Sequence, residues 1–413
     1  MFGLGLRRLL PASLRPPVVR AVSSVAERHR AALLQHRFER FRKDGNRTFV
    51  GDRVAVIGML TARCGIGRGA RLMVEDLRAR RIDVIPVDVT HRLGDPVGLT
   101  APDSIAPSAL VDYRPTDVII HYNPPKFASA LALLAPAVLR SASVVAYWSW
   151  ELERAPSEWR ASVGWCDEIW VPSAFVADAL LATFATATVR VVPHAVDRDP
   201  VGPRDRLRRD AARQKIGIPA DAFVAGTSWS MLSNFERKGA VFAIAAFQAA
   251  FPFQPGSREL LLLRCRDGDA YPVGMRIIRD AATRDPRIVV LDDHAKALGI
   301  LDFYQAIDTY LSLSRSEGYG LPIAEAAQAG LPVLATGWGL AADLAKCPLV
   351  SAINYRLVPV EDPQHMYDGI AGAVWAEPDV EDAAQRLRTV AYAAEAFTPK
   401  GATSGAIAWR FGA

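Results

Sequence analysis

The chain has 413 residues, 50% of them hydrophobic and 23% charged, which describes a soluble globular protein, argues against disorder and leaves room for about two domains. Its four cysteines (Cys64, Cys166, Cys265, Cys347) are scattered without C-x-x-C spacing, so neither a disulfide framework nor a zinc site is expected, and a reducing cytoplasm fits best. The formal charge of +5 is uneven: residues 1–50 carry eleven Lys or Arg against Glu27, Glu39 and Asp44, a net of +8, which leaves −3 on the remainder.

That first segment is a basic, partly amphipathic arm with Val18, Val22, Val25, Leu34, Phe38 and Phe41. Over residues 1–43 it suits the surface of an anionic membrane, and equally a solvated arm or a helix packed on its own protein. Prolines and Arg15 interrupt the apolar start, so it is not read as a signal peptide. No uncharged run reaches transmembrane length, since "FASALALLAPAVL" stops at Arg140. The basic excess is confined to the arm and accompanies no nucleic-acid-binding module, so no nucleic-acid partner is expected.

From residue 51 the pattern is regular α/β. "RVAVIGML" reads as a buried strand, "GRGARLMVEDLRARR" as an amphipathic helix, and "DVIPVDV", "TDVIIHY", "SVVAYWSW", "EIWVPS" and "VRVVPH" as further strands up to residue 194. "DRDPVGPRDRLRRD" reads as a linker. A second series follows: "FVAGTSWS", a helix near 239–250, "ELLLLRC", "RIVVLDD", a unit over 308–336, and a late strand "YRLVPV".

The unit at 308–336 holds the first candidate site. "TYLSLS" and "PVLAT" are short apolar strands, and "LPIAEAAQA" between them starts with a proline suited to a first helical turn and stops at Gly330. A strand–loop–helix–strand order implies a parallel sheet, whose ligands lie beyond the carboxyl ends of its strands. Glu317 falls in the loop and Glu325 about a turn into the helix. The N–H groups of Gly318, Tyr319, Gly320 and Leu321, with the positive helix end behind them, suit a phosphate, and the carboxylates suit hydroxyls. Taken alone, both glutamates also fit solvated charges at a helix end.

"RSEGYGLPIAEAAQAGLPVLATG" resembles the Glu-x7-Glu signature of the retaining family-four (group 1) glycosyltransferases. "WCDEIWVPSAFVADAL", "VRVVPHAVD", "FERKG", "DPRIVVLDD", "DTYLSLSRSEGYGLP" and "INYRLVPVED" are similar to that family's motifs and follow its order over residues 52–365. The resemblance implies the GT-B fold: two Rossmann-like domains facing across an interdomain cleft, here an acceptor domain at 51–198 and a nucleotide-sugar donor domain at 199–390, with the arm at 1–50 and a tail at 391–413. It implies sugar transfer with retention from a nucleotide-sugar to a glycan, lipid-linked or other acceptor in polysaccharide biosynthesis. With the cysteine usage, a cytoplasmic enzyme is expected, the basic arm offering either peripheral contact with the inner membrane face or a solvated or self-packed segment. Glu325 resembles the residue that binds the donor ribose and Glu317 the one that holds the donor sugar. Gly318 to Leu321 resemble the amides near sugar and phosphate, and Lys238 the lysine that neutralises the departing pyrophosphate. Relatives place an arginine several residues before that lysine. Here the window offers only Arg237, which is grouped with the donor-binding residues and which otherwise reads as a solvated helix start.

In the first half, "CGIGRGARL" resembles the family's N-terminal glycine loop, with Gly65 and Gly67 approaching phosphate. It also satisfies G-x-G-x-x-A, with Asp88 at the end of the second strand, which supports a rival reading as a nicotinamide-dependent oxidoreductase. Several residues separate that glycine run from the first strand, unlike the fingerprint. His121, beside Asn123 at a strand end, joins Glu317 and Lys238 as the expected catalytic set, the alternative being a capped strand-end histidine. His194 reads as structural or lining. Glu151 and Glu153 lie among Trp148, Trp150 and Trp159, either an acceptor site with stacking rings or plain core filling. Asp267 and Asp269, with Asp292, Asp293 and His294 nearby in sequence, imitate a divalent-cation motif. Asp-Gly is a turn dipeptide, however, and Lys238 with the glycine-loop amides supplies positive charge, so neither metal nor another cofactor is expected. A third reading is a non-catalytic sugar-nucleotide-binding protein.

Overall fold

The structure, a computed structural model, describes residues 47–196, 205–292 and 298–396. The arm up to residue 46, Asp293, His294 and the tail beyond residue 396 lie outside the described residues.

Contacts divide the chain into two compact units. One runs to Ser149 and includes Arg154–Pro172 and Ala177–His194; the other comprises Trp150–Glu153, Ser173–Val176 and the chain from Ala195 onward. Two short stretches of the first half therefore belong to the second unit.

The first unit is built on β1 (Arg53–Gly58), β2 (Asp83–Asp88), β3 (Asp117–His121), β4 (Ser143–Tyr147), β5 (Glu168–Val171) and β6 (Val189–Val191), in the spatial order β2-β1-β3-β4-β5-β6. All pairs are parallel. β3, β4 and β5 are buried along their whole length, as strands covered on both faces must be, and this explains their unbroken apolar runs. The register sets Gly58 level with Asp88 and His121, so these three share the carboxyl edge. The chain enters at the opposite edge. There the buried Asp117 accepts from the amides of Val50 (3.0 Å) and Gly51 (2.8 Å), and Asp167 accepts from that of Arg47 (2.9 Å).

The second unit repeats the plan with β7 (Phe223–Ser230), β8 (Glu259–Arg266), β9 (Ile288–Leu291), β10 (Thr309–Ser312), β11 (Val333–Thr336) and β12 (Val350–Ile353), in the order β12-β11-β10-β7-β8-β9 and parallel throughout. The helix Ala240–Ala250 buries Ala243, Ile244 and Phe247 against Ala225, Leu261, Leu263 and Leu387. A buried phenylalanine such as Phe247 contributes about 1.5–3 kcal/mol. The expected late strand, β13 (Tyr355–Pro359), exists but stays off this sheet; it pairs antiparallel with β14 (Val374–Pro378) as a separate ribbon. Its side chains are largely exposed, unlike those of the central strands of the sheet.

Candidate functional site

β10 and β7 are neighbours in the second sheet, so the loops at their carboxyl ends meet. From β7 the chain turns through Met231–Ser233 to Asn234, in left-handed backbone at φ 69°, then makes the one-turn helix Phe235–Lys238 and leaves through Gly239 at φ 64°. Only glycine fits that exit, because a Cβ would fall 2.0 Å from the Leu313 carbonyl oxygen. From β10 the chain passes Ser314 and Ser316 to Glu317. Residues 79 apart in sequence thereby touch: Lys238 Nζ lies 2.6 Å from Glu317 Oε1.

Glu317 also accepts from Ser314 Oγ at 2.8 Å, and Arg237 Nη1 lies 3.5 Å from its second oxygen. Burial works to raise the Glu317 carboxyl, but Lys238 and Arg237 outweigh it and hold it below the usual glutamate value. Burial, with Arg237 beside it, draws Lys238 below the usual lysine value despite Glu317. The two side chains form a partly enclosed ion pair.

Arg237 is not the solvated helix-start charge that its place in sequence suggests. It is 3% exposed and donates through Nη1 to the Ser316 carbonyl (2.8 Å) and through Nη2 to that of Ser233 (2.9 Å), with Glu151 Oε1 3.7 Å from Nη2. The segment carrying it is clamped from the β13–β14 connection. Asn234 donates to Asp362 (2.6 Å), while Gln364 accepts from the Phe235 amide (2.5 Å) and donates to the Met231 carbonyl (3.0 Å).

Beyond Glu317 the loop is packed as tightly. A Cβ on Gly318 would lie 2.5 Å from the Trp150 carbonyl oxygen, and Ser173 Oγ donates to the Gly318 carbonyl at 2.5 Å. Tyr319 is buried and donates to Asp343 (2.9 Å). Gly320, at φ 95°, begins the helix Leu321–Gln328, which has Pro322 in its first turn and no side-chain cap, so its leading amides are available to an anion. Glu325 sits a turn in, 8% exposed, and accepts from the buried Tyr304 hydroxyl at 3.0 Å. Burial, with Glu325 beside it, pushes Tyr304 well above the usual phenol value, so it stays a donor and fixes one carboxylate oxygen.

The second unit thus brings together Glu317, Lys238, Arg237 and Gly318 to Leu321, with Glu325 in the following helix. His121, Gly65 and Gly67 belong to the first unit. His121 is 1% exposed, stacks on Tyr147 (ring centroids 4.3 Å apart) and is kept neutral by burial, with His194 adding to the effect. Burial and Arg68 lower His194 to about 3. Gly67 is required by packing: a Cβ would meet the Met59 carbonyl oxygen at 2.4 Å, whereas one on Gly65 would meet nothing. The helix opens at Gly65, capped by Cys64, with six residues between it and the end of β1. Asp88 accepts from the Thr61 hydroxyl (3.0 Å) and the Thr90 hydroxyl (2.5 Å), so the carboxylate that a dinucleotide ribose would need is already engaged. Trp148 and Trp159 pack edge-on in the core. Asp267, in left-handed backbone, accepts from Ser230 Oγ, and Asp292 pairs with Arg279 (2.7 Å).

The sequence profile of the family described as "Glycosyl transferases group 1" matches residues 229–374, the stretch that contains the Lys238–Glu317 contact and Glu325. The chain carries a group 1 glycosyltransferase domain. Solved structures agree on the architecture. A glycosyltransferase from Rickettsia africae superposes with a TM-score of 0.56 at 13% identity, covering 83% of this chain and 89% of that one. The catalytic domain of starch synthase IV from Arabidopsis thaliana, solved with ADP and acarbose, gives 0.51 at 13% identity, covering 70% and 84%. WaaG, a glycosyltransferase of lipopolysaccharide biosynthesis, gives 0.50 at 15% identity, covering 82% and 90%. The chain therefore has the α/β, GT-B fold. No curated protein sequence matches it.

If the Glu325 carboxylate binds a hydroxylated ligand, Glu325→Ala removes a charge-assisted hydrogen bond. Nucleotide affinity, measured by calorimetry, is expected to weaken by about 1.5–3 kcal/mol.

Proposed function

We propose that this glycosyltransferase moves a sugar from a nucleotide-sugar to a glycan or lipid-linked acceptor, with retention of configuration and without metal. The observation that carries the reading is the Lys238–Glu317 contact, 2.6 Å long, beside the uncapped start of the helix Leu321–Gln328. In this reading Glu325 binds the ribose, the amides from Gly318 to Leu321 meet the phosphates, and Glu317 orients the transferred sugar. The bond from the anomeric carbon to the diphosphate oxygen breaks and its electrons leave with the diphosphate. The acceptor hydroxyl oxygen bonds to that carbon on the face being vacated, and its proton passes to the departing phosphate. Charge grows on the diphosphate in this step, and Lys238 with the helix amides is preorganised to meet it.

Thermal shifts with UDP-, GDP- and ADP-sugars test the donor assignment. A shift with one donor class supports it, and no shift with any member contradicts it. Lys238 and the helix start supply the positive charge, so transfer is expected to survive excess EDTA. Activity lost to EDTA and restored by manganese would contradict this.

No described helix is long and apolar enough to cross a membrane. The basic arm suits a cytoplasmic enzyme that touches an anionic membrane surface, where lipid-linked acceptors reside. Anionic vesicles are expected to sediment the full chain, less so as salt rises, but not a version starting at Gly51. Equal sedimentation of both removes the membrane role.

A further inference from the structure

Glu151 has no part in the reaction just described, yet it touches the loop that carries Glu317 and the arginine behind it. The segment Trp150–Glu153 belongs to this unit. Its main chain backs the Glu317 loop: Ser316 Oγ donates to the Glu151 carbonyl, and the Trp150 carbonyl leaves no room for a side chain at residue 318. Its carboxylate reaches the same loop by a second route, 3.7 Å from Arg237 Nη2, while Arg237 Nη1 holds the Ser316 carbonyl at 2.8 Å and lies 3.5 Å from Glu317.

Charge explains why a second carboxylate is present. Arg237 and Lys238 are adjacent, partly or wholly buried cations; Glu317 pairs with both, and Glu151 acts on both from a longer distance. With Glu151 nearest the other terminal nitrogen of the guanidinium, two carboxylates face two cations. Arg237 then has a second carboxylate beside it, and Glu317 is left to its shorter contact with Lys238. A buried guanidinium with one carboxylate only would draw that carboxylate toward itself and away from the lysine.

We propose that Glu151 is a positioning residue that acts through Arg237 to set the Glu317 carboxylate against Lys238. The proposal rests on the reading of Glu317 and Lys238 as the donor-handling pair.

The test measures nucleoside diphosphate release from UDP-glucose, GDP-mannose and ADP-glucose by the wild type, Glu151→Gln, Glu151→Asp, Arg237→Gln and the Glu151→Gln/Arg237→Gln double variant. Glu151→Gln is expected to lower kcat by roughly 10- to 100-fold with donor KM and thermal midpoint unchanged. Its alkaline limb is expected to move to lower pH, because Lys238, faced by Arg237, Glu317 and Glu151, loses a neighbouring negative charge. Glu151→Asp, which keeps the charge, is expected to restore the limb. The double variant is expected to be no slower than Arg237→Gln, because both changes act along one route. An unaffected Glu151→Gln, a double variant slowed by the product of the single effects, or a Glu151→Gln that loses its folded state would each overturn the proposal. A wild type that releases nothing from all three donors overturns the proposed function and this inference with it; normal wild-type release beside an unaffected Glu151→Gln overturns the inference alone.

Discussion

Glu317→Gln is expected to lower kcat by about two to three orders of magnitude, while free nucleotide binds as it does to the wild type. The substitution keeps size and hydrogen-bonding capacity but removes the charge that Lys238, Arg237 and Ser314 converge on. The bare nucleotide lacks the sugar that Glu317 is proposed to hold, so its affinity has no reason to change. The same cluster predicts the acid behaviour. Glu317 is held below the usual carboxylate value in the folded protein, so its contribution to stability is complete above that value and is lost as pH falls through the lowered one. Steady-state kinetics beside nucleotide calorimetry check the first expectation; an unchanged kcat removes Glu317 from the reaction.

Lys238→Ala is expected to lower kcat by about two to three orders of magnitude as well, for a different reason. It removes the cation proposed to meet charge growing on the diphosphate and leaves Glu317 with Arg237 at 3.5 Å. Lys238→Arg separates charge from simple packing. It is expected to recover part of the rate and to extend activity to higher pH, because burial and Arg237 draw the lysine below its usual value whereas a guanidinium stays charged. A pH–rate profile with the same alkaline limb for lysine and arginine at this position contradicts the role. Lys238 and Glu317 touch, so their double substitution is expected to fall well short of the sum of the two single losses.

The parts of the site carried by local pattern were legible in the sequence. The strand–loop–helix–strand unit stands where its apolar runs, Pro322 and Gly330 put it, and Glu317 and Glu325 fall on the loop and in the helix as their spacing implied. The Asp-Gly at residues 267–268 is a turn, with Asp267 in left-handed backbone, as that dipeptide favours. What stayed hidden was set by topology. Arg237 looks solvated when read in "FERKG" because nothing local shows that β10 lies beside β7 and buries it. Glu151 carries no motif, and its place beside Arg237 follows from the grouping of Trp150–Glu153 with the second unit. Asp362 and Gln364 reach the Asn234–Phe235 turn because β13 leaves the main sheet, where an apolar run alone implied another sheet strand. Asp88 matched a ribose-binding spacing, but Thr61 and Thr90 had already claimed its oxygens.

The Lys238–Glu317 pair is proposed to serve sugar transfer from a nucleotide donor. The most direct test of that role is nucleoside diphosphate release from UDP-glucose, GDP-mannose and ADP-glucose in excess EDTA, with the wild type, Glu317→Gln and Lys238→Ala measured side by side. The wild type is expected to release nucleoside diphosphate from one donor class, and both variants to lose that rate while free nucleotide still binds. Equal rates in all three proteins, or no release by any, would contradict that role.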